Sequence, residues 1–199
     1  MSSPHVPPTF FLLTDFGLTD PYVGQMKAML WSRIPEARIL DLSHGVQAHN
    51  VVQAAFFLAV SWPYMPAGSI GLAVVDPGVG TDRSILLCRQ GATYVLAPDN
   101  GLLGLLEDSV SGCRVWRLHS TGLEQEASST FHGRDVFAPL ACRLAQGEDP
   151  SSLGVEIAAG DRQSSWALTP RREGNLMHAV VVHVDHFGNC VLNGEAAQW

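Results

Sequence analysis

Three times in this chain an apolar, β-rich run ends on a carboxylate: FFLLTDFGLTD from Phe10 to Asp20, GLAVVDPGVGTDR from Gly71 to Arg83, and VVVHVDHFGN from Val180 to Asn189. A residue just past the carboxyl end of a strand sits where ligands bind in open α/β sheets. Three such turns therefore predict an α/β fold whose strand ends converge on one shared site.

The elements between these turns follow from apolar periodicity and from Gly and Pro punctuation. Phe10 to Leu13 reads as a buried strand. Asp20-Pro21 predicts an N-cap and first helical residue for a helix running to Arg33, with Val23, Met26, Met29 and Leu30 on one face and Pro35 beyond its end. A short strand is expected at Arg38 to Leu42. Asn50 is placed to cap VVQAAFFLAVSW, a segment apolar on nearly every side and so expected to lie deep against the sheet. Further strands are predicted at Ser69 to Val75, Ser84 to Cys88, Thr93 to Ala97 and Arg114 to Leu118. A short helix is predicted at Gly101 to Glu107 and a longer one at Arg134 to Ala145. This alternation predicts a layered α/β domain over residues 1–165 with a mostly parallel sheet.

The polar stretch Gln146 to Arg172 reads as a connector. Beyond it, a strand is expected from Met177 to Val184, with Cys190 to Leu192 as a pairing neighbour, so that residues 173–199 begin a second, β-rich unit. That unit is shorter than the roughly 40 residues that usually sustain an independent core. It is expected to be incomplete or to need a partner.

The chain has 199 residues, and 12 Lys and Arg against 19 Asp and Glu leave a formal net charge of −7. No basic block is available to neutralise a run of phosphates, which argues against nucleic acid as a partner. The start, MSSPHVPPTFFLLTDFG, shows no basic leader, and its apolar run is too short for a secretory signal or a membrane span. Cys88, Cys113, Cys142 and Cys190 form no CxxC pair. Free, buried thiols in a reducing, cytoplasmic setting are expected, with neither a disulfide framework nor a zinc site.

Taken singly, each candidate residue has an ordinary structural reading. Asp15 in T-D-F-G suits an Asx-turn, but a carboxylate at a strand end also accepts hydrogen bonds from a ribose diol. No GxGxxG is present, which argues against a dinucleotide. D-P-G-V-G-T-D-R joins Asp76 to two glycines and Arg83, as either a tight turn or a ligand loop with a fixed cation. In T-F-H-G-R-D, His132 is a titratable group at a helix start, and Asp135 complements that helix's dipole. His183 and His186, three apart on a strand, point to opposite faces and cannot share a metal ion, so no metal is assigned.

The ordered motifs LLTDFGLTDPYVGQMK, VVDPGVGTDR, LAPDNGLLG, STFHGRDVFAPLA and VDHFGN make nearly the whole chain resemble the S-adenosyl-L-methionine hydroxide adenosyltransferases, relatives of the fluorinases and chlorinases. The resemblance implies an α/β N-terminal domain followed by a β-rich C-terminal one. It further implies a homotrimer whose ligand lies between the N-terminal domain of one subunit and the C-terminal domain of the next.

By the same resemblance Asp76, Arg83 and His132 form the set that holds and activates water. Asp15 matches the ribose-binding aspartate and Phe131 the aromatic beside the adenosine. Asp185, Phe187 and Asn189 match the motif that contacts the methionine part and the adenine. The halogenating relatives lack the Asp-Arg-His set and carry Tyr and Ser where this chain has His132 and Gly133. Hydrolysis of S-adenosyl-L-methionine to adenosine and L-methionine is thus the implied activity, with the sulfonium compound as substrate and no cofactor. Halide transfer to C5′ and non-catalytic binding of the nucleoside are the alternatives.

Overall fold

A computed structural model describes residues 6–109, 112–119, 128, 130–163 and 170–194. Within it, the strands β1 (Thr9–Thr14), β2 (Arg38–Ser43), β3 (Ile70–Val74), β4 (Ile85–Gln90), β5 (Thr93–Pro98), β6 (Arg114–Leu118) and β7 (Gly154–Ile157) build one sheet in the order β2-β1-β3-β5-β4-β6-β7. Strands β2, β1, β3 and β5 pair in parallel, while β4 runs against both β5 and β6, and β7 against β6. Five of the seven strands, with β6 as the fifth, therefore run in one direction, as expected for the mostly parallel sheet.

β1 shows why this chain needs a layer on each face. Phe10 and Leu12 face the cluster that includes Met26 and Leu30 of helix α1 (Tyr22–Arg33) and Leu140 and Ala141 of helix α4 (Ala138–Ala145). Phe11 and Leu13 face the opposite cluster, with Ala54 and Leu58 of helix α2 (Val51–Ser61) and Leu106 of helix α3 (Gly104–Ser109). A strand whose middle residues, Phe10 to Leu13, are all apolar and fully buried is the signature of a sheet buried on both sides. Phe11 sits in register with Gly71 of β3, and a Cβ at Gly71 would run into the Phe11 ring. Glycine there makes room for the Phe11 ring on the neighbouring strand.

The chain leaves β1 through α1 to reach β2 on one side, then passes through α2 to β3 on the other. Connections that depart in opposite directions from neighbouring strands open a crevice at the strands' carboxyl ends. Asp15 and Asp76 follow the two strands that flank it.

Several local expectations need correction. Pro21, not Asp20, is the N-cap of α1; no side chain caps that end, and the carbonyl of Pro21 accepts from Gln25 N at 2.9 Å. Asn50 does cap α2, its Oδ1 accepting from Gln53 N at 3.0 Å. That helix is not buried on nearly every side. It lies between the sheet and strand β10 (Val181–Val184), with Phe57 edge-on to His183 at 4.8 Å, and its Val60 is exposed. The helix expected at Arg134 begins as a wider π turn, Gly133–Phe137, before α4.

The expected connector contains a helical turn, Pro150–Leu153, and edge strand β7. Gly154 opens β7 because a Cβ there would strike the backbone of Arg117. Residues 164–169 of the connector and 195–199 of the C-terminal unit lie outside the described residues. The expected strand from Met177 to Val184 divides in two: β9 (Leu176–His178) pairs with β8 (Arg171–Glu173), and β10 pairs with β11 (Cys190–Leu192). Val180 breaks the run by exchanging hydrogen bonds with Asn193. All four cysteines are free, but Cys190 is exposed where a buried thiol was expected. No helix among the described residues is long and apolar enough to cross a membrane.

Candidate active site

A cleft of about 380 Å³ opens at the crevice between β1 and β3. Asp15 and Phe16 enter it from the end of β1, Asp76 and Val79 from the loop after β3, and Phe131, His132 and Gly133 from the segment that opens the π turn ahead of α4. Tyr22 at the start of α1 and His49 ahead of α2 complete much of its wall.

Arg83 joins two of these groups. Its Nε donates to Asp76 Oδ2 at 2.7 Å, its Nη2 lies 2.5 Å from the same oxygen, and Nη2 also donates to His132 Nδ1 at 3.0 Å. The Asp76 and Arg83 side chains are only 5% and 7% exposed. Such a pair resists the cost of burial only because its charges and hydrogen bonds answer one another. The backbone contributes too: Asp76 Oδ1 accepts from Gly78 N at 3.2 Å, and Gly80 turns the loop through a φ of 79°.

This contact also sets the tautomer of His132. A guanidinium has no acceptor, so Nδ1 of the ring must be the acceptor and the neutral imidazole carries its proton on Nε2. Asp76, Arg83 and His132 thus form one polarised chain at the edge of the cleft.

Three aromatic rings brace the segment that carries His132. Phe131 meets Phe16 at 5.7 Å and Tyr22 at 5.2 Å, both edge-to-face, and the Arg134 guanidinium lies 4.9 Å from the Phe131 ring centre. A Cβ at Gly133 would press on the Met26 sulfur and the Phe16 ring. Asp135 does more than complement a dipole: it accepts from Arg134 Nε at 2.5 Å and from Ser128 N at 3.0 Å. The Arg134 bond is the main reason its carboxyl is held below the usual carboxylate range.

Asp15 receives the backbone N–H of His49 on Oδ2 at 2.8 Å. Sequence reading missed His49, Tyr22, Phe16 and Thr130 as cleft residues. Tyr22 had a signal, an aromatic one residue past an Asp-Pro helix start; nothing in the letters marks His49.

Asp185, Phe187 and Asn189 are not brought to this cleft. Asp185 closes the β10–β11 turn, its Oδ1 accepting from the backbone N–H of Phe187 and Asn189 and its Oδ2 from Asn189 Nδ2 at 2.7 Å. The Asn189 side chain is the leading cause of a carboxyl held below its ordinary range. Phe187 projects from this turn, 86% exposed.

Comparison with known proteins agrees with the fold. The chain is 40% identical over 193 residues to an (R)-S-adenosyl-L-methionine hydrolase of Thermus thermophilus, an alignment covering 92% of this chain and 73% of that one. It is 24% identical over 216 residues to the fluorinase of Actinopolyspora mzabensis, covering 95% and 72%. A solved structure of an uncharacterized conserved protein from Thermotoga maritima superposes with a TM-score of 0.80 at 33% identity, covering 93% of this chain and 70% of its own. Residues 10–154 match the model of the SAM hydroxide adenosyltransferase N-terminal domain, and the chain belongs to that family.

Proposed function

We propose that this protein hydrolyses S-adenosyl-L-methionine to adenosine and L-methionine. The oxygen of water or hydroxide bonds to ribose C5′, the C5′–S bond breaks with its electron pair going to sulfur, and the water proton passes to solvent. Methionine leaves as a neutral thioether, so no general acid is required. The observation that carries this reading is the buried Asp76–Arg83–His132 chain on the rim of a cleft that also holds Asp15.

In this reading Asp15 accepts hydrogen bonds from the ribose diol, and Phe131 lies beside the adenosine. Arg83 favours the anionic form of the nucleophile, Asp76 holds Arg83, and His132 meets the attacking oxygen through Nε2–H. With the reactants so aligned, positioning alone is worth about 7–11 kcal/mol relative to free encounter. The relatives named hydrolases, more similar than the fluorinase, support water over halide.

We further read residues 173–199 as the start of a separate unit whose Asp185–Asn189 turn serves a neighbouring subunit's cleft, in a homotrimer. Its support is the exposure of Phe187 away from the cleft of its own chain. Four free thiols fit a cytoplasmic protein.

Incubation of the purified chain with S-adenosyl-L-methionine, with chromatography of the products, tests the activity. Adenosine and methionine in equal amounts are expected, unchanged by added chloride. A 5′-chloro nucleoside would establish the halogenase instead, and calorimetric binding without turnover would establish a binding module.

A further inference from the structure

We infer that the backbone of His49, rather than its imidazole, is the positioning element for Asp15, and so governs affinity for the ribose diol. The inference rests on the ribose reading of Asp15 given above. Among the described residues His49 is the one non-glycine with a positive φ, at 65°. Side chains rarely adopt this conformation, and it persists only where the surroundings over-determine it.

Those surroundings are the first turn of α2. Gln47 N donates to Gln53 Oε1 at 2.7 Å, Asn50 N to Gln47 O at 2.9 Å, and Val51 N to His49 O at 3.0 Å, while Asn50 caps the helix. The residues on both sides of His49 are thus tied to one helix start, which holds the turn between them in this conformation. Its product is an N–H aimed across the crevice at Asp15 Oδ2, 2.8 Å away. The imidazole makes no comparable contact: Nδ1 lies 4.0 Å from that oxygen, beyond hydrogen-bond range, and the side chain is 72% exposed. Asp15 itself is 9% exposed, so an N–H that fixes one carboxylate oxygen fixes the direction in which the other accepts.

Two substitutions separate backbone from ring, because both delete the imidazole. His49→Gly accepts a φ near 65° without strain, whereas His49→Val, β-branched, resists it. The Val variant is expected to bind adenosine about tenfold more weakly than the Gly variant in calorimetry. Its KM for S-adenosyl-L-methionine should rise in the same order, with kcat values of the two variants close together. Preference for adenosine over 2′-deoxyadenosine should shrink in the Val variant relative to the Gly variant, a readout that loss of stability alone would leave in place. If the Val variant fails to fold, His49→Ala takes its position, with the same order against Gly. Equal affinities in the Gly variant and its partner would overturn the inference. A wild-type chain that turns over S-adenosyl-L-methionine but does not distinguish adenosine from 2′-deoxyadenosine would instead remove the ribose reading beneath it.

Discussion

Arg83 holds two partners that lie seven and 49 positions away in the chain, Asp76 and His132. Its removal has two separable effects. Arg83→Ala strands a buried carboxylate, which should destabilise the fold by about 3 kcal/mol in addition to lowering turnover. His132→Ala leaves the Asp76–Arg83 pair in place, so it should lower kcat about 100-fold with little change in the urea midpoint. Denaturation and steady-state kinetics on the two variants measure both quantities; a His132→Ala midpoint that fell as far as that of Arg83→Ala would make the imidazole a structural member. At this scale the sequence was informative where chemistry resides in the residue type: Asp15, Asp76, Arg83, Phe131 and His132 all reach one end of the sheet. It was silent on His49, because a positive φ is a property of how a turn closes and the letters Ala-His-Asn do not encode it.

Among the elements, those with long apolar runs or strong punctuation were legible. β1, β3 and β5 were read within a residue or two of their observed bounds, as was α1 between Pro21 and Pro35. The misses share a cause. β7 is a four-residue strand that pairs with the edge of β6, and β8 is a three-residue strand that pairs with β9. No local preference marks segments so short, since tertiary pairing outweighs propensity there. α2 shows how a local signal can matter beyond its own helix. Asn50→Ala deletes the cap and should cost about 1 kcal/mol in thermal or urea unfolding. The same cap steadies the turn that holds Asp15, so the variant's adenosine affinity should fall with it; an unfolding midpoint equal to wild type would show that Asn50 Oδ1 carries no weight.

For the whole molecule, the decisive relation is between the cleft and the Asp185–Asn189 turn. If that turn serves another copy of the chain, two defective chains should repair one another. A His132→Ala chain and a Phe187→Ala chain, each poorly active alone, should recover activity when unfolded together and refolded as a mixture, and sedimentation should report three chains per particle. A mixture no more active than its components would place the turn outside the site. The family resemblance implied that cleft and turn meet between different copies of the chain, whereas the order of residues by itself does not state which copy a turn faces.

Thr14 and Val74 are direct neighbours in the β1–β3 ladder, and Asp15 and Asp76 lie one and two residues past that rung. Adjacent strands lie about 4.8 Å apart with very little freedom to change. On the proposed roles of Asp15 and Asp76 the sheet acts as a ruler: it sets how far from the sugar hydroxyls a reactive carbon must stand to be attacked, and a nucleoside whose electrophilic atom lies one bond nearer or farther should be held securely and left intact.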